Sequence, residues 1–221
     1  HLIAGRLDDR LLFEYQRQLA EILGYKDGDQ LAVEQFMQTY YRAAMEIRAT
    51  NDMLLQHFDE EIIRSKERAK TIAVNNRFQV TNNYLEVIYV DVFNQQPSAL
   101  LEMFVILAND ANIQGVRAST IRLVKANLHL INDDFRNDLK ITKLFLDLLK
   151  SKEHLFSQLR RMERYAILGT YLPEFGMVIG QMQFDLFHVY TVDAHTLQVV
   201  RNMRRFRYKN QEQKFPIAAH I

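Results

Sequence analysis

The stretch from Val33 to Ile62 reads VEQFMQTYYRAAMEIRATNDMLLQHFDEEI. Apolar side chains recur at Val33, Phe36, Met37, Tyr40, Ala44, Ile47, Leu54, Leu55, Phe58 and Ile62. A spacing of three or four keeps them on one side of a helix of about 3.6 residues per turn, so the stretch predicts one long amphipathic helix. Asn51 and Asp52 interrupt the stripe and mark a place for a kink or a polar contact.

The pattern extends in both directions. In DDRLLFEYQRQLAEILG (8–24), Leu11, Leu12, Tyr15, Leu19 and Ile22 share a face, and Gly24 is a natural helix stop. The short YKDGDQ (25–30) joins the two helices, which should pack antiparallel. RFQVTNNYLEVIYV (77–90) differs: β-branched and aromatic residues flank an Asn-Asn pair that tolerates turn conformations, which predicts a small hairpin. Helical pattern resumes at Pro97, a first-turn proline, through SALLEMFVILAND (98–110). It returns in ASTIRLVKANLHLI (118–131), KITKLFLDLLK (140–150), KEHLFSQLRRMERYAILGTYL (152–172) and AHTLQVVRNMRRF (194–206). The fold class expected is mainly α, a multi-helix bundle with a long antiparallel helix pair and one small β-hairpin insertion.

Composition agrees. Glycine and proline number 7 and 3, which favours helix over most of the length. At 221 residues and 48% hydrophobic, the chain can bury a core for one large domain or for one domain plus part of another. Lys and Arg number 28 against 27 Asp and Glu, so no overall field points to nucleic acid or to an anionic membrane. The apolar run in ALLEMFVILA (99–108) is broken by Glu102 and falls far below the about 20 residues that span a bilayer. The absence of cysteine excludes disulfides and thiolate metal sites and suits a cytoplasmic protein. The chain opens on His1 rather than Met and shows no signal-peptide pattern, so a segment of a longer protein is expected.

Chemistry concentrates in QFDLFHVYTVDAHTLQVV (183–200), where His188 and His195 stand seven apart with Asp193 between them. A helix starting near Thr191 or Asp193 would put Val192, His195, Val199 and Met203 on one stripe, with His195 pointing inward. Such a histidine is either a hydrogen-bonded core residue or a ligand. His188 precedes the helix, and two histidines seven apart are a weak metal signal. The one Asp-x-Asp, Asp27 to Asp29, reads as a turn and helix cap rather than a metal site.

FHVYTVDAHTLQVV (187–200) resembles the opening helix of an HD-type metal-dependent phosphohydrolase domain. Together with RLDDRLLFEYQRQLA (6–20), VEQFMQTYYRAAMEI (33–47), NNRFQVTNNYLEV (75–87), GVRASTIRLVKANLHLI (115–131), FRND (135–138) and RYAILGTYLPEFGMVIGQMQFDLFHVYTVDAHTL (164–197), it resembles the bifunctional PII uridylyltransferase and uridylyl-removing enzymes of bacterial nitrogen control. The likeness covers most of the chain in one order. It implies residues 1–182 as the helical region that follows a nucleotidyltransferase domain, and 183–221 as the start of the HD domain.

Enzymes of that family attach UMP from UTP to a tyrosine of the PII signalling protein and hydrolyse it off again in response to glutamine. UTP and glutamine would be met by domains outside this segment, and PII would be the protein partner. A transferase site needs a Gly-Ser turn for the triphosphate, and no Gly-Ser dipeptide occurs here. An HD site needs a histidine, a later adjacent His-Asp pair and a further aspartate around a divalent metal, Mg2+ or Mn2+ in the whole enzyme. By the resemblance His195 matches the first histidine. No histidine here is followed by Asp, so the segment alone is expected to be catalytically inactive and to hold no metal.

His188 is left as an indirect support of the metal site, a substrate contact or a structural residue. Arg201, Arg204 and Arg205, with Arg207 and Lys209, form either a solvated basic face at a helix end or a surface for phosphate or acidic PII. The charges of NDDFRND (132–138) should cap and bridge helices. An exposed apolar stripe at Leu197, Val200 and Met203 would allow dimerisation. The alternatives are a non-catalytic helical scaffold module, and part of an HD phosphohydrolase acting on another nucleotide ester.

Overall fold

A computed structural model describes residues 3, 5, 10–63, 70–185 and 189–206. Among these the chain is mainly α, with eleven α-helices and one small four-stranded sheet. It divides into two compact units, His1–Met45 with Met177–Ile221, and Glu46–Gly176. The functional division expected at residues 182 and 183 is a different kind of boundary from this one of compactness.

In the first unit, α1 (Phe13–Ile22) ends where Gly24 takes φ +84. The Gly24 N–H donates to Glu21 O and the Tyr25 N–H to Ala20 O, the paired bonds that close a helix on a left-handed residue. The buried side of α1 is Gln16 and Ala20, with Ile22 61% exposed, so the helix is rotated from the face that apolar spacing alone would choose. In the connection, Asp27 Oδ1 accepts from Ala32 N–H at 2.7 Å, capping α2 (Ala32–Phe58) as its turn chemistry suggests. The core of this unit joins Ala20, Ala32, Val33, Met37 and Met182, with Leu11, Tyr25, Phe36, Tyr41 and Phe184 around it. The helix pair is unequal, because α1 has 10 residues and α2 has 27.

The long helix runs unbroken through Asn51 and Asp52 and then widens into a π-helical turn, Asp59–Ile63. Its apolar stripe is split in environment. Val33 and Met37 are buried, whereas Ile47, Leu54, Leu55 and Phe58 lie exposed.

The second unit is built on β1 (Thr71–Ala73), β2 (Phe78–Thr81), β3 (Tyr84–Val87) and β4 (Gly115–Val116), in that spatial order. The expected hairpin is β2–β3, with Thr81 paired to Tyr84. Asn82 and Asn83 both take positive φ, 50 and 68, which matches the right-handed twist of the strands. Two further strands escaped the sequence reading: β1 is antiparallel to β2, and the two-residue β4 runs parallel to β3.

Between β3 and β4 lie α3 (Val92–Gln95) and α4 (Ala99–Asn109). Ala99, Leu100, Leu101, Met103, Phe104, Leu107 and Ala108 are all buried, so α4 is enclosed nearly all round. Then come α5 (Ala118–Ala126), α6 (Asp133–Asn137), α7 (Leu139–Leu149), α8 (Leu155–Arg164), α9 (Ile167–Tyr171) and α10 (Pro173–Val178). Asn132 caps α6 by accepting from Phe135 N–H, and Asp138 caps α7 by accepting from Lys140 N–H. Arg136 pairs with Asp133 at 2.7 Å and donates to Thr170 O, so the NDDFRND charges cap and bridge as expected. The long apolar pattern from 152 to 172 is two helices rather than one, broken at Ala166 with φ +63.

Two charged clusters tie this unit together. Arg77 donates from Nε and Nη2 to the two oxygens of Glu102, both at 2.7 Å, which fixes the β1–β2 turn to α4 and raises the guanidinium pKa through that hydrogen bond. Glu60, in the π-helical turn, accepts from Gln56, from Arg117 and from the Ala118 N–H at the start of α5. Arg117 also meets Glu86 of β3 at 3.5 Å, so one guanidinium joins helix end, sheet and α5.

Candidate functional site

The candidate residues lie on α11 (Val192–Phe206) and the segment leading into it, within the first unit. That segment is held from below by α2. Gln38 Nε2 donates to the carbonyls of Met177 and Ile179 at 2.9 and 3.2 Å, and Arg42 donates to the same two at 3.1 and 2.9 Å. Phe184 stacks on Phe13 with ring centroids 4.3 Å apart, carries Arg17 over its ring, and gives its N–H to Glu34 Oε1 at 3.0 Å. Glu34 Oε2 receives the Leu31 N–H, so one carboxylate caps α2 and anchors the later segment.

The start of α11 is fixed by Asp193. Its side chain is 1% exposed, and Oδ1 accepts the Gly180 N–H at 2.9 Å. The Val192 N–H donates to Gln181 O at 2.8 Å beside it. A carboxylate in the first helical turn also faces the positive end of the helix dipole.

This anchoring sets the phase of the helix. Asp193 and Leu197 are buried, and Val200 and Arg204 are half-buried, one stripe at spacings of four, three and four. His195 stands two residues from Asp193, roughly 200° round the helix axis, and is exposed. The inward orientation expected for it is corrected: Val192, Val199 and Met203, which share its stripe, are 38, 43 and 64% exposed. Apolar spacing pointed to that stripe, but the hydrogen-bonded Asp193 turns the opposite one inward. Of the expected apolar patch at Leu197, Val200 and Met203, Leu197 is 3% exposed and Val200 half-buried, and Met203 is 64% exposed, so the patch is corrected to its Met203 end.

Arg201 and Arg205 are exposed and Arg204 is half-buried. His188, Arg207 and Lys209 lie outside the described residues. Asp193 was visible in the sequence only as an acid at a helix start. Its pairing with Gly180 spans a loop and has no local signature.

A metal needs several converging donors. Among the described residues, no group of three or more His, Asp or Glu side chains could hold one. His195 offers one exposed imidazole on α11. No helix among the described residues is long and apolar enough to cross a membrane.

Two family models match the chain. Residues 78–171, inside the second unit, match the uridylyltransferase GlnD third domain, and residues 1–55 match GlnD PII-uridylyltransferase. The bifunctional uridylyltransferase/uridylyl-removing enzymes of Ectopseudomonas mendocina (strain ymp) and Pseudomonas aeruginosa (strain LESB58) are each 50% identical over 222 residues. That of Pseudomonas syringae pv. tomato is 51% identical over the same length. Each alignment covers 100% of this chain and 25% of the relative, so the chain spans about a quarter of the length of the curated relatives it matches. No solved structure matches the chain.

Proposed function

From the premise that the chain belongs to the family of the bifunctional uridylyltransferase/uridylyl-removing enzyme, we propose that it is the central helical part of such an enzyme together with the first helix of its hydrolase domain. The whole enzyme transfers UMP from UTP to a tyrosine of PII and removes it by hydrolysis, with glutamine setting the balance. The two GlnD models falling in order on one chain, alongside relatives matched over its full length, carry this reading.

Within that enzyme, His195 would be the first residue holding a divalent metal, Mg2+ or Mn2+, which when bound would supply an acidified water for the hydrolysis. The exposed position of His195 on a helix anchored by the opposite side supports this role: the ring is free to meet groups from elsewhere in the protein. The remaining ligands, the His-Asp pair among them, would come from parts of the enzyme outside these 221 residues. His188 supports that site or is structural, and the Arg201, Arg204 and Arg205 face meets phosphate or acidic PII. The protein is cytoplasmic and binds no nucleic acid.

The test is made in the full-length enzyme. His195→Ala should abolish UMP removal and lower metal affinity while leaving UMP transfer intact. Retention of full hydrolysis would sink the assignment of His195. For the 221-residue chain alone, turnover of uridylylated PII would overturn the inactivity proposed for it.

A second reading, a helical interaction module, is favoured by the exposed apolar side of α2. It concerns a different surface and is compatible with the first.

A further inference from the structure

From Glu46 onward α2 has two distinct sides. Ala49 is buried, Asp52 meets Arg164 at 3.3 Å, and Gln56 donates to Val116 O. These residues, at spacings of three and four, hold the helix to its own unit. On the other side Ile47, Leu54, Leu55 and Phe58 are 70, 48, 58 and 46% exposed, and Asn51 is exposed among them.

The outward residues fall into a register. Ile47, Asn51, Leu54 and Phe58 follow spacings of four, three and four, the alternation of a two-helix seam with Ile47 and Leu54 at d and Asn51 and Phe58 at a. In that register Ala49 and Gln56 occupy f and Asp52 occupies b, the positions turned away from a seam. The side bound to the unit and the side open to a partner are thus the two sides a coiled-coil helix requires.

We propose that this surface packs against a second copy of the chain, α2 alongside α2 in parallel, with Asn51 opposite its counterpart on a two-fold axis. Asn51 selects the occupant. An amide carries both donor and acceptor, so it is its own complement, and a parallel two-fold pairing sets like residue against like. Antiparallel pairing would set Asn51 against an aliphatic d residue and leave its amide unsatisfied. Within the seam from Ile47 to Phe58 no like-charged pair faces across, because parallel pairing brings Thr50 to Leu55 of the other copy. Four large apolar side chains about half exposed correspond to about 1,000 Å² of interface in total, at the low end for specific association, so the dimer should depend on concentration.

The chain contains no cysteine, which permits a direct test. Sedimentation equilibrium of the 221-residue chain should show a monomer–dimer equilibrium that Ile47→Glu and Leu54→Glu abolish, with circular dichroism unchanged because both positions face outward. Under mild oxidation Leu54→Cys, which keeps Asn51 and also lies opposite its counterpart, should cross-link about a hundredfold faster than Arg122→Cys, an exposed control on α5, as thiols held at high effective concentration do. A monomer at every concentration would overturn the proposal. So would a dimer indifferent to Leu54→Glu, or cross-linking at Leu54→Cys no faster than at the control.

Discussion

Asp193 and Gly180 are joined by a buried hydrogen bond, Gly180 N–H to Asp193 Oδ1 at 2.9 Å, and that bond decides which side of α11 meets solvent. His195 is displayed because Asp193 is anchored. The residue between the two histidines thus controls the candidate ligand by fixing the helix and not by touching it.

Asp193→Ala should destabilise the chain by about 1–3 kcal/mol, since it strands a buried N–H without an acceptor. Asp193→Asn keeps an oxygen at Oδ1 and should lose clearly less. Urea denaturation of the two variants, with hydrogen exchange at Gly180, checks this; equal losses would show that the acceptor is not what matters.

Gly176→Ala should cost about 2 kcal/mol or more, as overpacking against rigid backbone does. The added Cβ would stand 2.5 Å from Gly169 O, where α10 meets α9. Gly28→Ala meets nothing within 4 Å and should change stability by less than about 0.5 kcal/mol. Thermal unfolding of both separates a steric effect from a general intolerance of alanine.

Glu102→Ala should remove about 1.5–3 kcal/mol, because it takes the acceptor from two charged N–H donors of Arg77 in a pair whose side chains are 26% and 18% exposed. Arg77→Lys, with Glu102 in place, should retain only part of the pair, since one ammonium cannot reproduce the two parallel bonds. A double-mutant cycle by chemical denaturation gives the coupling.

Burial raises the Tyr165 phenol pKa above its usual value, with Arg161 and Arg164 opposing the shift. Below about pH 10 the phenol is neutral in folded and unfolded chains alike, and its contribution to stability is whole. Above that pH the unfolded chain releases a proton that the folded chain retains, so stability falls as pH rises through the folded-state pKa. Tyr165→Phe should flatten this alkaline loss and leave the stability at pH 7 within about 1 kcal/mol. Denaturation midpoints from pH 8 to 11 test it.

Much of the fold was legible in local pattern. Three- and four-residue spacing located the helices, and Asn82-Asn83 located the hairpin because consecutive left-handed residues suit that turn. Asp27, Asn132 and Asp138 announced helix starts by their chemistry. The two extra strands were hidden: β4 has two residues, and its pairing with β3 joins segments about thirty positions apart. The break at Ala166 was hidden as well, because alanine carries no turn signal.

The sequence by itself determined which segments are helical, where the hairpin turns and which family the chain resembles, since all three are written in residue types at short range or in linear order. Only the tertiary structure decided which side of each helix is buried. Apolar spacing put His195 inward and made the stripe of α2 continuous. The Asp193–Gly180 bond turned His195 out, and the contacts of Ala49, Asp52 and Gln56 left Ile47, Leu54 and Phe58 open. The physical reason is the same in both places: spacing fixes which residues share a face, but long-range polar contacts choose the face that turns inward.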